Sequence, residues 1–138
     1  MTQADHLAVL HASSGLPMRS WTAAEYEALI KDEKTILIEA SGGFAIGSII
    51  FDEAELLMLV VPISQRRQGL GTRLLNLFEQ RAQTRGASCV FLEVGESNTA
   101  AYALYQALEY TKVGQRANYY RHTNGQTETA LILKKNFY

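Results

Sequence analysis

The sequence predicts an α/β domain with a mixed central sheet and helices flanking it. Three observations predict this class: short apolar segments separated by turns, a strand, helix, strand, helix unit in the middle of the chain, and an Asn-Gly dipeptide between two apolar segments near the end. The first indicates an antiparallel meander, the second a parallel crossover, and the third a C-terminal hairpin.

The first part of the chain predicts two short helices. Leu7 and Leu10 have helical spacing and precede a turn-rich stretch at residues 13–17. Thr22 and Glu25 form a capping box, so a second helix is expected from there to Lys31.

Three strands are predicted next, at residues 35–40, 44–51 and 55–61, with turns at 41–43 and 52–53. Leu70, Leu74 and Phe78 share one face of a helix that ends before Gly86.

The rest of the chain predicts a buried strand, a helix and a hairpin. The apolar run 88–94 is typical of a strand covered on both faces, reached by a crossover from the preceding helix. A helix is expected at 98–108. The segments 113–120 and 127–133 then flank Asn124-Gly125 as an antiparallel pair.

Composition narrows the function classes. The 138 residues fit one domain, which we expect to span 1–138, and 13 Lys+Arg against 14 Asp+Glu give a net charge of −1. No nucleic acid or membrane partner is therefore expected. Cys89 is the single cysteine and the three histidines lack zinc-ligand spacing, so no metal is predicted. The N-terminus lacks the pattern of a signal peptide, and a cytoplasmic location is expected.

A candidate anion site lies between a predicted strand and a predicted helix. Gly69 and Gly71 stand at the helix start, with Arg66, Arg67 and Arg73 beside them. Uncapped backbone N–H groups and positive charge favour a pyrophosphate. A helix start with solvated arginines remains open. A dinucleotide fold is disfavoured, because the third glycine position is Leu74 and the loop after the strand is long.

A candidate catalytic site follows. Glu93 lies inside an apolar strand near its carboxyl end, where desolvation favours a general base; a carboxylate that faces water is the alternative. Ser97 or Asn98 can cap the next helix. Tyr102 and Tyr105 lie on one helical face. Either both are core residues or a phenol there donates a proton, and both interpretations stay open.

These motifs together resemble a known family. Arg66-x-x-Gly69-x-Gly71, Leu92-Glu93-Val94, Ser97-Asn98 and Tyr119-Tyr120, in this order, resemble the GNAT acetyltransferases, and within them the ribosomal-protein-alanine N-acetyltransferases of the RimI type. The likeness runs from about residue 20 to residue 133. The chain departs from the family pattern at Gly95, where an arginine is frequent, and at Glu109-Tyr110, where the family has Gly-Phe.

The resemblance implies a GNAT fold and acetyl-CoA as the cofactor. It implies Glu93 as the general base and Tyr105 as the acid that protonates the departing thiolate. Trp21, Tyr119 and Tyr120 would border the acceptor. The implied cofactor-binding residues are Leu59, Val60, Val61, Arg66, Arg67, Gln68, Gly69, Leu70, Gly71, Thr72 and Asn98.

The expected activity is direct acetyl transfer to a protein N-terminal α-amine in one ternary complex. Cys89 is read as a small buried hydrophobe, so no acyl-cysteine is expected. Two alternatives stay open: a small amine or a lysine as the acceptor, and a module that binds acyl-CoA without turnover.

Overall fold

The computed structural model describes residues 1–16 and 19–138. The helices are α1 (Gln3–Ala12), α2 (Ala23–Lys31), α3 (Leu70–Thr84) and α4 (Thr99–Ala107), and the strands are β1 (Thr35–Ala40), β2 (Gly43–Ile50), β3 (Glu53–Val60), β4 (Cys89–Gly95), β5 (Thr111–Arg121) and β6 (Thr127–Asn136). The predicted turn at 13–17 reaches Pro17, which lies outside the described residues. Within the described ranges, no helix is long and apolar enough to cross a bilayer.

The strands form one six-stranded mixed sheet in the order β1-β2-β3-β4-β6-β5. The first three are an antiparallel meander, and β3 pairs with β4 in parallel through the α3 crossover. β6 lies between β4 and β5 and is antiparallel to both. The predicted fold class is therefore confirmed.

Local sequence explains several boundaries. Thr22 and Glu25 form the predicted capping box of α2. The C-terminal hairpin turns where Gly125 takes a φ of 85° and its N–H donates to the carbonyl of His122. A glycine fits this left-handed position. Because β5 ends at Arg121 and β6 begins at Thr127, the loop is longer than a two-residue hairpin turn.

Helices cover both faces of the sheet. Leu74, Leu75 and Phe78 of α3 pack on one face, together with Tyr105 of α4. Leu7 of α1 and Tyr26 of α2 pack on the other face with Phe44, Ile46 and Val60. Because strand side chains alternate, each residue of β4 can be assigned to one of these two faces.

A β-bulge lies in β3, where it pairs with β2. Ile46 is paired with Met58 and Gly47 with Leu56, so Leu57 is an extra residue in β3. A side chain at Gly47 would clash with the Glu55 carbonyl, and its Cβ would lie 2.6 Å from Cζ of Phe78. The parallel ladder between β3 and β4 ends at the Leu56 and Leu92 pair, and the two strands diverge from there.

The end of α4 explains one departure in the sequence. Glu109 follows the helix in the left-handed region, with φ of 73°. The Tyr110 hydroxyl donates to Oε2 of buried Glu79 at 2.8 Å, and Nζ of Lys135 donates to Oε1 at 2.8 Å. The phenol that replaces an apolar ring thus satisfies a buried carboxylate.

Candidate active site

A cavity of about 590 Å³ opens where β3 and β4 diverge. Four groups of residues line it: residues 11, 16, 19 and 21, residues 56–59 of β3, the β4 to α4 segment, and residues 119–123 of the last hairpin. The divergence therefore joins the two faces of the sheet in one space.

The start of α3 has the chemistry of an anion site. Gly69 is the N-cap residue with φ of 79°, and no side chain caps the helix. The first intrahelical bond runs from the Arg73 N–H to the Gly69 carbonyl, so the preceding N–H groups, those of Gly71 and Thr72 among them, are left for a ligand. A Cβ at Gly69 would meet nothing within 4 Å, which leaves this backbone open to approach. These features fit a pyrophosphate.

Three predicted cofactor residues at the start of α3 have other contacts. The Arg66 guanidinium donates to the carbonyl of Ser14, so it ties the loop before α3 to the loop after α1. A Cβ at Gly71 would lie 3.2 Å from Cδ2 of Leu104, so this glycine lets α3 approach α4. Gln68 donates to the Ser64 carbonyl at 3.2 Å, and Arg67 is exposed with φ of 64°.

The end of β3 presents an edge without a strand partner. Leu59 and Val60 pair with β2 on one side, but the ladder to β4 has already ended at Leu56. Leu59 lines the cavity, and Val61 packs against the core below α3. Free backbone groups along such an edge can bond an extended amide chain.

Glu93 lines the cavity. Its neighbours Leu92 and Val94 are in the core under α3 and α4, so the Glu93 side chain points to the opposite face. That side chain is 19% exposed, and its Oε1 lies 3.5 Å from Nε of Arg116. Burial and the nearby Glu93 charge raise the pKa of Glu55. A carboxylate that is partly shielded and reachable from the cavity can accept a proton there.

The structure distinguishes the two tyrosines of α4. Tyr105 is 7% exposed and lines the cavity, whereas Tyr102 packs at the edge of the core and is absent from the cavity wall. Burial raises the pKa of Tyr105 to about 12, so the phenol keeps its proton at neutral pH.

Asn98 fixes the start of α4. Its Oδ1 accepts the Ala101 N–H at 3.1 Å, which makes Asn98 rather than Ser97 the helix cap. Asn98 also lines the cavity, between Glu93 and Tyr105 in the chain.

All three predicted acceptor residues line the cavity. Trp21 comes from the segment before α2, and Tyr119 and Tyr120 come from β5. Burial raises the pKa of Tyr120, and the charge of Glu93 raises it further. Tyr120 is half-buried, while Tyr119 is 51% exposed.

Sequence reasoning missed His11. Its Nδ1 accepts the Trp21 N–H at 3.1 Å and lies 2.9 Å from the Tyr26 hydroxyl, and burial followed by the charge of Arg19 lowers its pKa. The neutral imidazole thus holds Trp21 at the cavity. Nothing in the spacing of the sequence indicates these contacts.

It also missed Glu128 and His122. These side chains meet at 2.6 Å beside the cavity. The predicted Asn124-Gly125 turn lies between them, and this was the available signal, because a hairpin brings the residues on either side of its turn together.

Comparison with known proteins identifies a family and a curated relative. Residues 9–110 match the model of the Acetyltransferase (GNAT) family. The [Ribosomal protein bS18]-alanine N-acetyltransferase of Escherichia coli K12 is 41% identical over 90 residues, which are 65% of this chain and 60% of that protein.

Solved structures agree on the fold. The ribosomal-protein-S18-alanine N-acetyltransferase of Escherichia coli superposes with a TM-score of 0.81 and 30% identity, covering 99% of this chain and 90% of that one. Arabidopsis thaliana NAA60, solved with a bisubstrate analogue, superposes with a TM-score of 0.83 over 100% of this chain and 96% of that one; at 16% identity it supports the fold alone.

Proposed function

Because this chain belongs to the GNAT acetyltransferase family, we propose that it transfers the acetyl group of acetyl-CoA to the N-terminal α-amine of a protein. One observation carries the proposal. Glu93 and Tyr105 line a single cavity from opposite faces of the sheet. We take residues 1–138 as one acetyltransferase domain.

The chain's own groups account for donor binding. When bound, acetyl-CoA supplies an activated acetyl thioester. The start of α3 would hold the pyrophosphate through backbone N–H groups, with Arg67 adding positive charge. The free edge of β3 at Leu59 and Val60, with Val61 after it, would pair with the pantetheine amides, and Asn98 would contact the coenzyme beside them.

Glu93 would act as the general base. The amine must lose a proton to attack, and an α-amine with a pKa of about 7.8 is about 14% neutral at pH 7, against about 0.04% for a lysine. A single partly shielded carboxylate is therefore sufficient for an N-terminal acceptor.

Tyr105 would donate a proton to the departing sulfur. Its raised pKa of about 12 keeps the donor protonated, and its place in the cavity lets it serve the same reaction as Glu93. Transfer would be direct, since Cys89 is buried within β4, does not line the cavity, and has its pKa raised by burial.

For the acceptor we propose the N-terminal alanine of ribosomal protein bS18. The relative in Escherichia coli carries that substrate in its name and is 41% identical to this chain. Trp21, Tyr119 and Tyr120 would border such a peptide, since all three line the cavity. An acceptor of this kind places the enzyme in the cytoplasm.

An acetylation panel tests the function. The purified protein is incubated with acetyl-CoA and, separately, with a peptide of the bS18 N-terminus, the same peptide with a blocked N-terminus and an added lysine, polyamines and amino acids. We expect mass spectrometry to find acetylation only at the free N-terminal α-amine of the bS18 peptide. Acetylation of small amines alone would contradict a protein acceptor, and binding of acetyl-CoA without any transfer would favour a non-catalytic module.

Glu93→Gln tests the base. The amide keeps the side-chain shape and cannot take a proton, so we expect kcat/KM to fall about 10²-fold to 10⁴-fold at pH 7. The deficit should shrink as pH rises to about 9, because the α-amine then becomes neutral without help. A pH profile of kcat/KM measures this. A deficit that stays constant with pH would contradict the role.

A further inference from the structure

Glu128 joins three segments beside the proposed acceptor entrance. Its Oε2 accepts the Ser97 N–H at 2.8 Å, and its Oε1 lies 2.6 Å from Nε2 of His122. The Glu128 and His122 side chains are 13% and 20% exposed. Ser97 precedes α4, His122 lies in the last hairpin loop, and Glu128 is in β6. We call this set of three residues the Glu128 clamp.

The clamp uses the space above Gly95. A Cβ at Gly95 would lie 2.7 Å from Oε1 of Glu128, so any side chain there would displace the carboxylate. Gly95 and Glu93 are two residues apart in β4 and share one face. The clamp is therefore built on the same face as the proposed base, and the glycine at this position makes room for it.

The carboxylate in the clamp is held charged. Burial alone would raise the pKa of Glu128, but hydrogen bonds from Ser97 and His122 outweigh it, and the net shift is downward. A charged acceptor makes each of these hydrogen bonds stronger than a neutral one.

The clamp also places Tyr120. Tyr120 is the β5 partner of Glu128 in the sheet register. Burial is the largest cause of the raised pKa of Tyr120, and the charges of Glu93 and Tyr105 raise this pKa further. The hairpin that carries Tyr120 is thus tied through Glu128 to the segment that begins α4, the helix of Tyr105.

We propose that the Glu128 clamp fixes the last hairpin as one wall of the acceptor site and so sets the affinity for the acceptor peptide. The inference rests on the proposed function. Glu128 and His122 are positioning residues: they hold Tyr119 and Tyr120 at the cavity, and neither side chain bonds a residue proposed to bind the coenzyme.

Steady-state kinetics of Glu128→Ala test the role. We expect the KM for the acceptor peptide to rise about tenfold, in line with the loss of hydrogen bonds to a charged group. The affinity for acetyl-CoA, measured by calorimetry, and kcat should each change less than about threefold. Glu128→Gln should give an intermediate KM, since its amide oxygen can still accept the Ser97 N–H while its amide nitrogen cannot accept from His122. Glu96→Ala, which removes an exposed carboxylate nearby, is the matched control.

Two readouts are independent of that KM. Hydrogen exchange of the Ser97 amide should accelerate at least tenfold in Glu128→Ala and not in Glu96→Ala. Gly95→Ala should reproduce the KM increase, and the double variant Gly95→Ala/Glu128→Ala should be no worse than either single one, because both remove the same contact.

Contrary results are distinct from failure of the proposed function. An unchanged acceptor KM in Glu128→Ala, an equal loss of acetyl-CoA affinity, or additive effects of the two substitutions would overturn the clamp. If the wild-type protein acetylates no N-terminus, the proposed function fails, while the Ser97 exchange rate still shows whether Glu128 holds the segment.

Discussion

At the scale of single residues, side-chain type was enough to predict Glu93 as a candidate general base. It did not decide whether Tyr102 and Tyr105 are core residues or include a proton donor. A carboxylate inside an apolar strand is visible in any sequence. Tyr102 and Tyr105 share a helical face, and their spacing carries no information about the rotation of α4. That rotation depends on the Asn98 cap and on Leu104 packing against Gly71, which are contacts between elements.

Tyr105→Phe tests the proton donor at this scale. Removing the hydroxyl should lower kcat about 10²-fold without changing the dissociation constant for acetyl-CoA, because the ring and its packing remain. Steady-state kinetics and calorimetry measure the two quantities. Tyr102→Phe is the matched control, since Tyr102 lies outside the cavity wall, and it should behave as wild type. Equal losses in both variants would show a packing effect instead.

Arg66 shows a second limit of residue-level prediction. The sequence grouped it with Arg67 as positive charge for a pyrophosphate. Its contact is the carbonyl of Ser14, which lies 52 residues away in the chain. Charge alone cannot reveal whether a guanidinium faces a ligand or ties two loops together.

At the scale of elements, turn and cap signals predicted most boundaries. The capping box at Thr22, the glycine turn before β2 and the Asn-Gly hairpin all occur as expected. The bulge at Leu57 was not predicted from the residues, because it depends on Gly47 meeting Phe78 from α3. The divergence of β3 from β4 follows the bulge and was not predicted from the residues either; only the resemblance implied a role for Leu59, Val60 and Val61 there.

Glu109→Gly tests the element boundary after α4. Glu109 holds a left-handed φ of 73°, which costs a residue with a Cβ about 1–2 kcal/mol. Glycine removes that cost and loses some of the gain to its more flexible unfolded chain, so we expect the free energy of unfolding to rise by about 1 kcal/mol. Urea denaturation measures it. Glu109→Ala, which keeps the Cβ, should bring no such gain; an equal gain would point to the side-chain charge.

At the scale of the whole molecule, composition and connectivity predicted one mixed sheet, and the structure confirms it. The interior contains more polar chemistry than the apolar pattern indicates. Buried Glu79 accepts from Tyr110 and from half-buried Lys135, and buried His11 contacts Tyr26, so these polar contacts join different elements. Such partners are chosen by the packing of helices on the sheet, so single-segment patterns cannot identify them.

Stability at alkaline pH tests the whole interior. Burial raises the pKa of Tyr26, Tyr105, Tyr110 and Tyr120 above the ordinary value of about 10, and that of Tyr105 to about 12. The folded pKa is the higher one, so the stabilisation is complete below pH 10 and is lost as pH rises toward 12. Tyr105 alone should lower the free energy of unfolding by about 1.4 kcal/mol per pH unit in this window.

Urea titrations between pH 9 and pH 12 measure this slope. The Tyr105→Phe variant should show a slope smaller by that contribution, with its stability at pH 7 as the reference. A slope that is identical in the variant would mean that Tyr105 ionises as readily in the folded protein as in the unfolded chain.

The gap between β3 and β4 has a kinetic consequence. The coenzyme would approach from the face of the sheet covered by α3, and the peptide from the face covered by α1 and α2. Neither substrate would therefore block access of the other to its binding site. We expect intersecting initial-rate lines and no obligatory sequence of binding imposed by sterics. An inhibitor that joins coenzyme and peptide in one molecule would have to pass through the gap between β3 and β4.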